Sequence, residues 1–150
     1  MNELKEDLKQ KVPALETVRE GFKGLTFTND ETKHKKLIQY IFRRWELFLT
    51  KTYELEPAQI SIEHIAPQTE VKLEHCVGSI GNLLPLGGQI NNIADTKDFK
   101  SKIGLYKQSK LSTVAEFVNK YEGRTDWTEK EINERTIEIA DLAFMQIWKL

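Results

Sequence analysis

Ile60-Ser61-Ile62-Glu63-His64-Ile65-Ala66-Pro67-Gln68 is the stretch on which the reading of this chain turns. Its first six residues alternate apolar and polar, the period-two pattern of a half-buried strand, and Pro67 ends the run. Residues 68–78 are polar and loop-like. Ser79-Ile80-Gly81-Asn82-Leu83-Leu84 then predicts a second short strand, Pro85, Gly87 and Gly88 a turn, and Gln89 to Asp95 a short helix. Residues 60–95 therefore read as strand, loop, strand, helix.

Everything around this insert follows the helical period. Leu4, Leu8, Val12, Leu15 and Val18 recur at spacings of three and four, with Pro13 separating two helical pieces or opening the second. Gly21 and Gly24 mark the exit, and Leu25 to Asn29 is loop or a short strand. Between Thr32 and Lys51, Ile38, Ile41, Phe42, Trp45, Phe48 and Leu49 form the apolar stripe of an amphipathic helix, with Asp30 or Thr32 placed to cap it. Its other face carries Lys33, His34, Lys35, Lys36, Arg43 and Arg44. Pro57 breaks that pattern. Downstream, Phe99, Ile103 and Tyr106 predict one helix, and Val114, Phe117, Val118 and Tyr121 another. Thr128 with Glu131 forms a T-x-x-E capping box that opens a long last helix bearing Ile132, Ile139, Leu142, Ala143 and Ile147. The fold expected is α+β and mainly α-helical: one domain over 1–150, with N-terminal helices in 1–56, the insert at 60–95 and C-terminal helices in 96–150.

Composition narrows the function classes. The chain has 150 residues, 39% of them hydrophobic and 30% charged, an ordinary globular balance with enough apolar matter for a core. A single cysteine, Cys76, excludes an internal disulfide and a cysteine-based zinc cage. The opening MNELKEDLKQ carries acids and no apolar stretch, unlike a secretory leader, and no apolar run approaches a membrane span. These features predict a cytoplasmic protein with no membrane partner. Twenty-two basic and 23 acidic side chains give a net charge of −1, which argues against a non-specific nucleic-acid binder acting alone.

The insert gathers the residues that carry chemistry: Glu63, His64, Asn82, Asn91, Asn92 and Asp95. Hydrolysis of a phosphodiester needs few parts. Hard oxygen ligands hold a divalent cation, and a base whose pKa lies near the working pH activates water. The cation stabilises charge on the phosphorane. One carboxylate, one imidazole and one carboxamide oxygen meet that list.

The residues also carry a resemblance. Glu63-His64-Ile65-Ala66-Pro67-Gln68 is similar to an E-H-I-x-P-Q signature, and Ile80-Gly81-Asn82-Leu83-Leu84-Pro85-Leu86 to an I-G-N-L-x-x-L motif. Asn91, Lys97, Phe99, Lys102, Tyr106 and Ser109 match an N-x(5)-K-x-F-x(2)-K-x(3)-Y-x(2)-S run, and Trp127, Ile132, Arg135, Ala143 and Trp148 echo a C-terminal helix. Over at least residues 60–148 the chain resembles the HNH-like C-terminal domain of the GmrSD-type, modification-dependent restriction enzymes.

That resemblance implies a ββα-metal (HNH, or His-Me finger) unit at 60–95 and a metal-dependent DNA endonuclease or nickase of a phage-defence system. Mg²⁺, or Mn²⁺, is the implied cofactor. DNA is the implied substrate, and an N-terminal domain or separate subunit with nucleotide-dependent sensing the implied partner. It assigns His64 as general base and Asn82 as the residue that orders the loop, with Glu63 and Asn91 as metal ligands. Asn82 and Asn91 stand nine positions apart, as in the HNH domains of RNA-guided nucleases. Asp95, one turn on from Asn91, adds a ligand or caps the following helix. His75 faces the site from the expanded loop or lies outside it. Lys97 and Lys102 contact DNA phosphate or form a solvated helix face. Since neighbours on a strand point to opposite faces, Glu63 and His64 can share one ion only where the strand bends or ends. The alternative function is a catalytically weak or inactive DNA- or partner-binding module of a larger restriction complex.

Overall fold

The computed structural model describes residues 6, 9–51 and 60–148. Leu4, Leu8 and Pro57 lie outside the described residues. Among the described residues, six helices of a full turn or more from Leu15 onward surround one two-stranded hairpin, a mainly helical α+β architecture. No described helix is long and apolar enough to cross a membrane.

Helix α1 (Leu15–Lys23) begins just beyond Pro13, whose ring cannot continue a helix interior. Residue Thr26 then forms an isolated antiparallel bridge with Ser79. Helix α2 (Lys35–Thr50) starts later than the sequence suggests, with neither Asp30 nor Thr32 at its cap, and stops where Lys51 turns left-handed at φ 54°. Four members of the predicted stripe, Ile38, Ile41, Phe42 and Trp45, are buried, and Phe48 and Leu49 are half-buried.

Strand β1 (Ser61–His64) pairs antiparallel with β2 (Leu83–Leu86) in the register Ile62 to Pro85 and His64 to Leu83. The second strand sits further along than expected. Ile80, Gly81 and Asn82 form a 3₁₀ turn, and Pro85 lies inside the strand rather than in a turn. A two-stranded sheet tolerates this, because a strand with a free edge does not need every N–H. Helix α3 (Gly88–Ala94) follows directly, then α4 (Phe99–Tyr106), whose first turn is capped by the Asp98 carboxylate accepting from Ser101 N at 3.0 Å.

Helix α5 (Ser112–Tyr121) is capped from a distance. Glu46, buried on α2, accepts from Ser112 N at 2.7 Å and from Thr113 N and Oγ1 at 2.9 Å, which places a carboxylate on the helix's positive end. The Thr128–Glu131 capping box opens α6 (Glu129–Leu142), and a π-helical turn, Ala143–Ile147, continues it.

Two apolar clusters flank the hairpin. Ile62 and Leu83 belong to one, with Phe27, Ile38, Ile41, Phe42, Ile80 and Ile139. Leu84 and Leu86 belong to the other, with Phe99, Tyr106, Phe117, Trp127 and Ile132. The period-two pleat thus sends alternate residues of each strand into different cores, and both faces of the sheet are covered. Full burial of one such Ile or Leu side chain contributes roughly 1.5–3 kcal/mol. Helix α6 closes onto the 3₁₀ turn. A Cβ on Gly81 would collide with the backbone oxygen of Ile132 and with Thr136 Oγ1. Arg135 Nη1 donates to the carbonyls of Gly81 at 2.8 Å and Leu83 at 2.6 Å.

Candidate active site

Strand alternation decides where the two central residues go. His64 turns toward the α2 side and stacks on Phe27, with ring centroids 5.6 Å apart. Its Nε2 lies 2.8 Å from Phe27 O. A carbonyl only accepts, so Nε2 carries the proton and Nδ1 keeps its lone pair. Gln68 agrees with that tautomer: its Oε1 accepts from Asn29 N at 2.8 Å, which leaves Nε2 to donate toward His64 Nδ1 at 3.4 Å. Burial pushes the His64 pKa below its ordinary value, and the charge on Lys102 pushes it further, against the Phe27 hydrogen bond. The neutral, Nδ1-basic imidazole is therefore the favoured form.

Glu63 turns the other way. Its Oε1 accepts from Lys102 Nζ at 2.7 Å and Tyr106 Oη at 2.9 Å, and the residue is 2% exposed. Burial raises its pKa, while Lys102 and Tyr106 pull it down and the charge of Asp95 raises it. Oε1 is engaged, so Oε2 is the oxygen left for a ligand.

Helix α3 is tied to the strand by Asn91, whose Nδ2 donates to Ser61 Oγ at 3.1 Å and Ile62 O at 3.2 Å. The Ile62 carbonyl fixes the amide orientation, leaving Oδ1 as the available acceptor. Asp95 ends α3 with φ 28°, a conformation that costs a non-glycine residue energy.

Glu63, His64, Asn91 and Asp95 line one cavity of 310 Å³, together with Phe27, Asn29, Ile62, Pro67, Gln68, Thr69 and Thr96. The strand ends at His64, and the chain turns away at Pro67, which lets residues from opposite faces border one space. Among the described residues no three His, Cys, Asp or Glu side chains converge as a ready metal cage. The oxygen set here is instead mixed, two carboxylates and one carboxamide. It fits a hard cation that retains several waters, as Mg²⁺ does. The charge of Asp95 adds a small upward push to the Glu63 pKa, which a cation between them would relieve.

The other sequence candidates fall elsewhere. Asn82 is fully buried and outside the cavity. Its Oδ1 accepts from Ala66 N at 2.8 Å and Trp127 Nε1 at 3.0 Å, and its Nδ2 donates to Ala66 O at 2.9 Å and Val77 O at 2.7 Å. It orders the loop and touches no reacting group. Lys102, expected at DNA phosphate, is 0% exposed. It lies one turn from Phe99 and Tyr106 on the inward face of α4, so its charge holds Glu63 and the His64 carbonyl rather than a ligand. His75 is exposed and outside the cavity, with Nε2 2.9 Å from Glu129 Oε1. Lys97 is exposed beside Thr96, on an adjoining cleft with Lys72. The residues that sequence reasoning missed are Phe27, Gln68 and Tyr106. Gln68 and Tyr106 lie inside the quoted motifs; Phe27, far upstream, gives no signal at all. A larger cavity of 560 Å³, lined by Trp45, Arg135 and Tyr121 among others, contains none of the candidate residues.

Residues 17–142, from within α1 to the last residue of α6, match the family described as GmrSD restriction endonucleases, C-terminal domain. The chain belongs to this family. No curated protein matches it. Membership makes this GmrSD C-terminal domain a nuclease module of restriction-endonuclease type and implies DNA as its substrate. The match reaches well upstream of the quoted motifs and takes in α2 and also Phe27, which lines the cavity and stacks on His64.

Proposed function

We propose that this GmrSD C-terminal domain is a metal-dependent HNH endonuclease or nickase, and that residues 60–95 are its ββα-metal unit. The hairpin followed by a helix pinned to its first strand supports that reading. The observation that carries it is the His64 tautomer: Nε2 is bound to a backbone carbonyl and Nδ1 keeps the lone pair, met only by the long 3.4 Å contact from the Gln68 amide, on a cavity that also holds Glu63, Asn91 and Asp95.

Water displaces the Gln68 amide from His64 Nδ1 and gives that nitrogen its proton as the water oxygen forms the new bond to phosphorus. The bond from phosphorus to the leaving oxygen breaks, and that oxygen takes its proton from solvent. Phe27 O holds the imidazolium's Nε2 proton, so the ring keeps its orientation through the transfer. Asn82 fixes the Ala66 backbone behind the ring. A divalent cation, Mg²⁺ or Mn²⁺, held by Glu63, Asn91 and Asp95, would neutralise charge on the phosphate oxygens. In the cell the module acts on cytoplasmic DNA in phage defence, with a nucleotide-sensing N-terminal domain or separate subunit as its partner.

Plasmid nicking in Mg²⁺ or Mn²⁺, with EDTA and His64→Ala as controls, tests this. Metal-dependent nicking that is lost in the variant is the expected result. Equal nicking by both proteins overturns the assignment of His64. The Glu63–Lys102 ion pair is the observation that favours the second reading, a non-cleaving DNA-binding module, and metal-independent binding without nicking would select it.

A further inference from the structure

The Phe27 ring lies between two partners. His64 stacks on it, and Lys35 Nζ stands 5.4 Å from its centroid. Lys35 is the first residue of α2, and Gln39 and Arg43 follow it at four-residue intervals on the same face. Those three side chains line a groove of 590 Å³ whose other wall is formed by Ile60, Ser61 and Ile62 and by Gly88 and Asn91 of α3. Gln39 Nε2 donates to Ile60 O at 2.9 Å and fixes the distance between the walls. The groove shares Phe27, Ile62 and Asn91 with the His64 cavity, so the two spaces adjoin.

No acidic side chain lines this groove among the described residues. Helix α2 also carries Lys36 and Arg44, and its one acid, Glu46, is 5% exposed and engaged by Ser112 and Thr113. A chain of net charge −1 thus concentrates positive charge on one helix, beside the proposed catalytic cavity. The fit is to a polyanion with regularly spaced charges, entering along α2 and reaching His64.

We infer that the α2 groove is the track for the scissile DNA strand, with Lys35 and Arg43, about two helical turns apart, on separate phosphates and Lys35 nearest the cut. This rests on the nuclease reading for its direction, though binding can be measured without cleavage. Cations that neutralise phosphates lower affinity uniformly and reduce its salt dependence when removed.

The test is anisotropy of a labelled DNA duplex with the His64→Ala chain from about 50 to 200 mM salt. Three forms are compared: that background, the same with Lys35→Glu and Arg43→Gln, and the same with Lys130→Glu on α6 as control. The groove variant should bind at least about tenfold more weakly, with the salt slope reduced by about two, roughly one per phosphate contact. The control should match the background. Equal binding by groove variant and background, or no binding by the background at low salt, overturns the track. Nicking by the otherwise wild-type chain is measured in parallel. Binding through the groove with no nicking leaves the track standing and removes the nuclease reading; nicking with no effect of the groove variant does the reverse.

Discussion

Lys102 Nζ lies 2.7 Å from Glu63 Oε1, and the two side chains are 0% and 3% exposed. The same ammonium donates to His64 O at 2.6 Å. One buried lysine on α4 therefore holds both central residues of β1 from behind, one by its carboxylate and the other by its backbone. Locking Oε1 fixes the orientation of the whole Glu63 carboxylate.

Replacing Lys102 by Met should destabilise the fold by about 3–5 kcal/mol, the usual cost of leaving one member of a buried pair behind. The apolar stem is preserved, so the loss reports the missing charge rather than a cavity. The Glu63 carboxyl should then hold its proton to still higher pH, since the Lys102 charge that pulls its pKa down is gone. Urea unfolding measures the first effect. A loss below about 1 kcal/mol, typical of surface pairs, would contradict the buried clamp.

Asn82 offers a different kind of test. Truncation to Ala strands Trp127 Nε1, both backbone groups of Ala66 and the Val77 carbonyl, all buried. At about 1–3 kcal/mol for each unsatisfied group, partly relieved by entering water, a loss of at least about 3 kcal/mol is expected. Asn82→Asp keeps the acceptor and loses the donor, so it should fall between wild type and Ala. Thermal melts of the three proteins give the order; an Asp variant as stable as wild type would show that Nδ2 contributes nothing.

Gly81→Ala should cost about 1–3 kcal/mol or more, because the added methyl meets the Ile132 carbonyl in the first turn of α6, and a helix backbone cannot step aside as a side chain can. Gly87→Ala is the matched control. Nothing lies within 4 Å of its would-be Cβ, and its φ of −68° suits any residue. That change should be neutral or stabilise by up to about 1 kcal/mol through the unfolded chain. A melt series showing equal effects at both positions would refute the close approach of α6 to the 3₁₀ turn.

The helices were legible because their burial follows a period that the sequence displays: Ile38, Ile41, Phe42 and Trp45 on α2, or Ile132 and Ile139 on α6. The capping box at Thr128 is a local signal and came through intact. The second strand was misplaced by a few residues because Gly81 is set by contact with α6, a tertiary demand that Ser79 to Leu84 does not reveal. Lys102 was misread for a related reason. Lysine is almost always exposed, and its burial here depends on a carboxylate at Glu63, distant in sequence. The residue types of the cavity were readable from 63–64, 91 and 95; the Phe27 carbonyl that sets the His64 tautomer was not, since a backbone group leaves no mark on composition.

His64 supplies the pH dependence. Burial sets its folded pKa below the ordinary 6.5, so the unfolded chain binds protons more readily over the interval between the two values. Stability from keeping this ring neutral is complete above about pH 6.5 and is lost as pH falls toward the folded value. In EDTA, the unfolding free energy of wild type should therefore drop on acidification from pH 7, and His64→Gln should flatten that drop. The same proton bears on chemistry: Nδ1 must be unprotonated to accept from water, so nicking should keep more than half its plateau at pH 6.5 and lose the rest further into acid. An activity limb already half lost at pH 6.5 or above would place the base on a less buried group than His64.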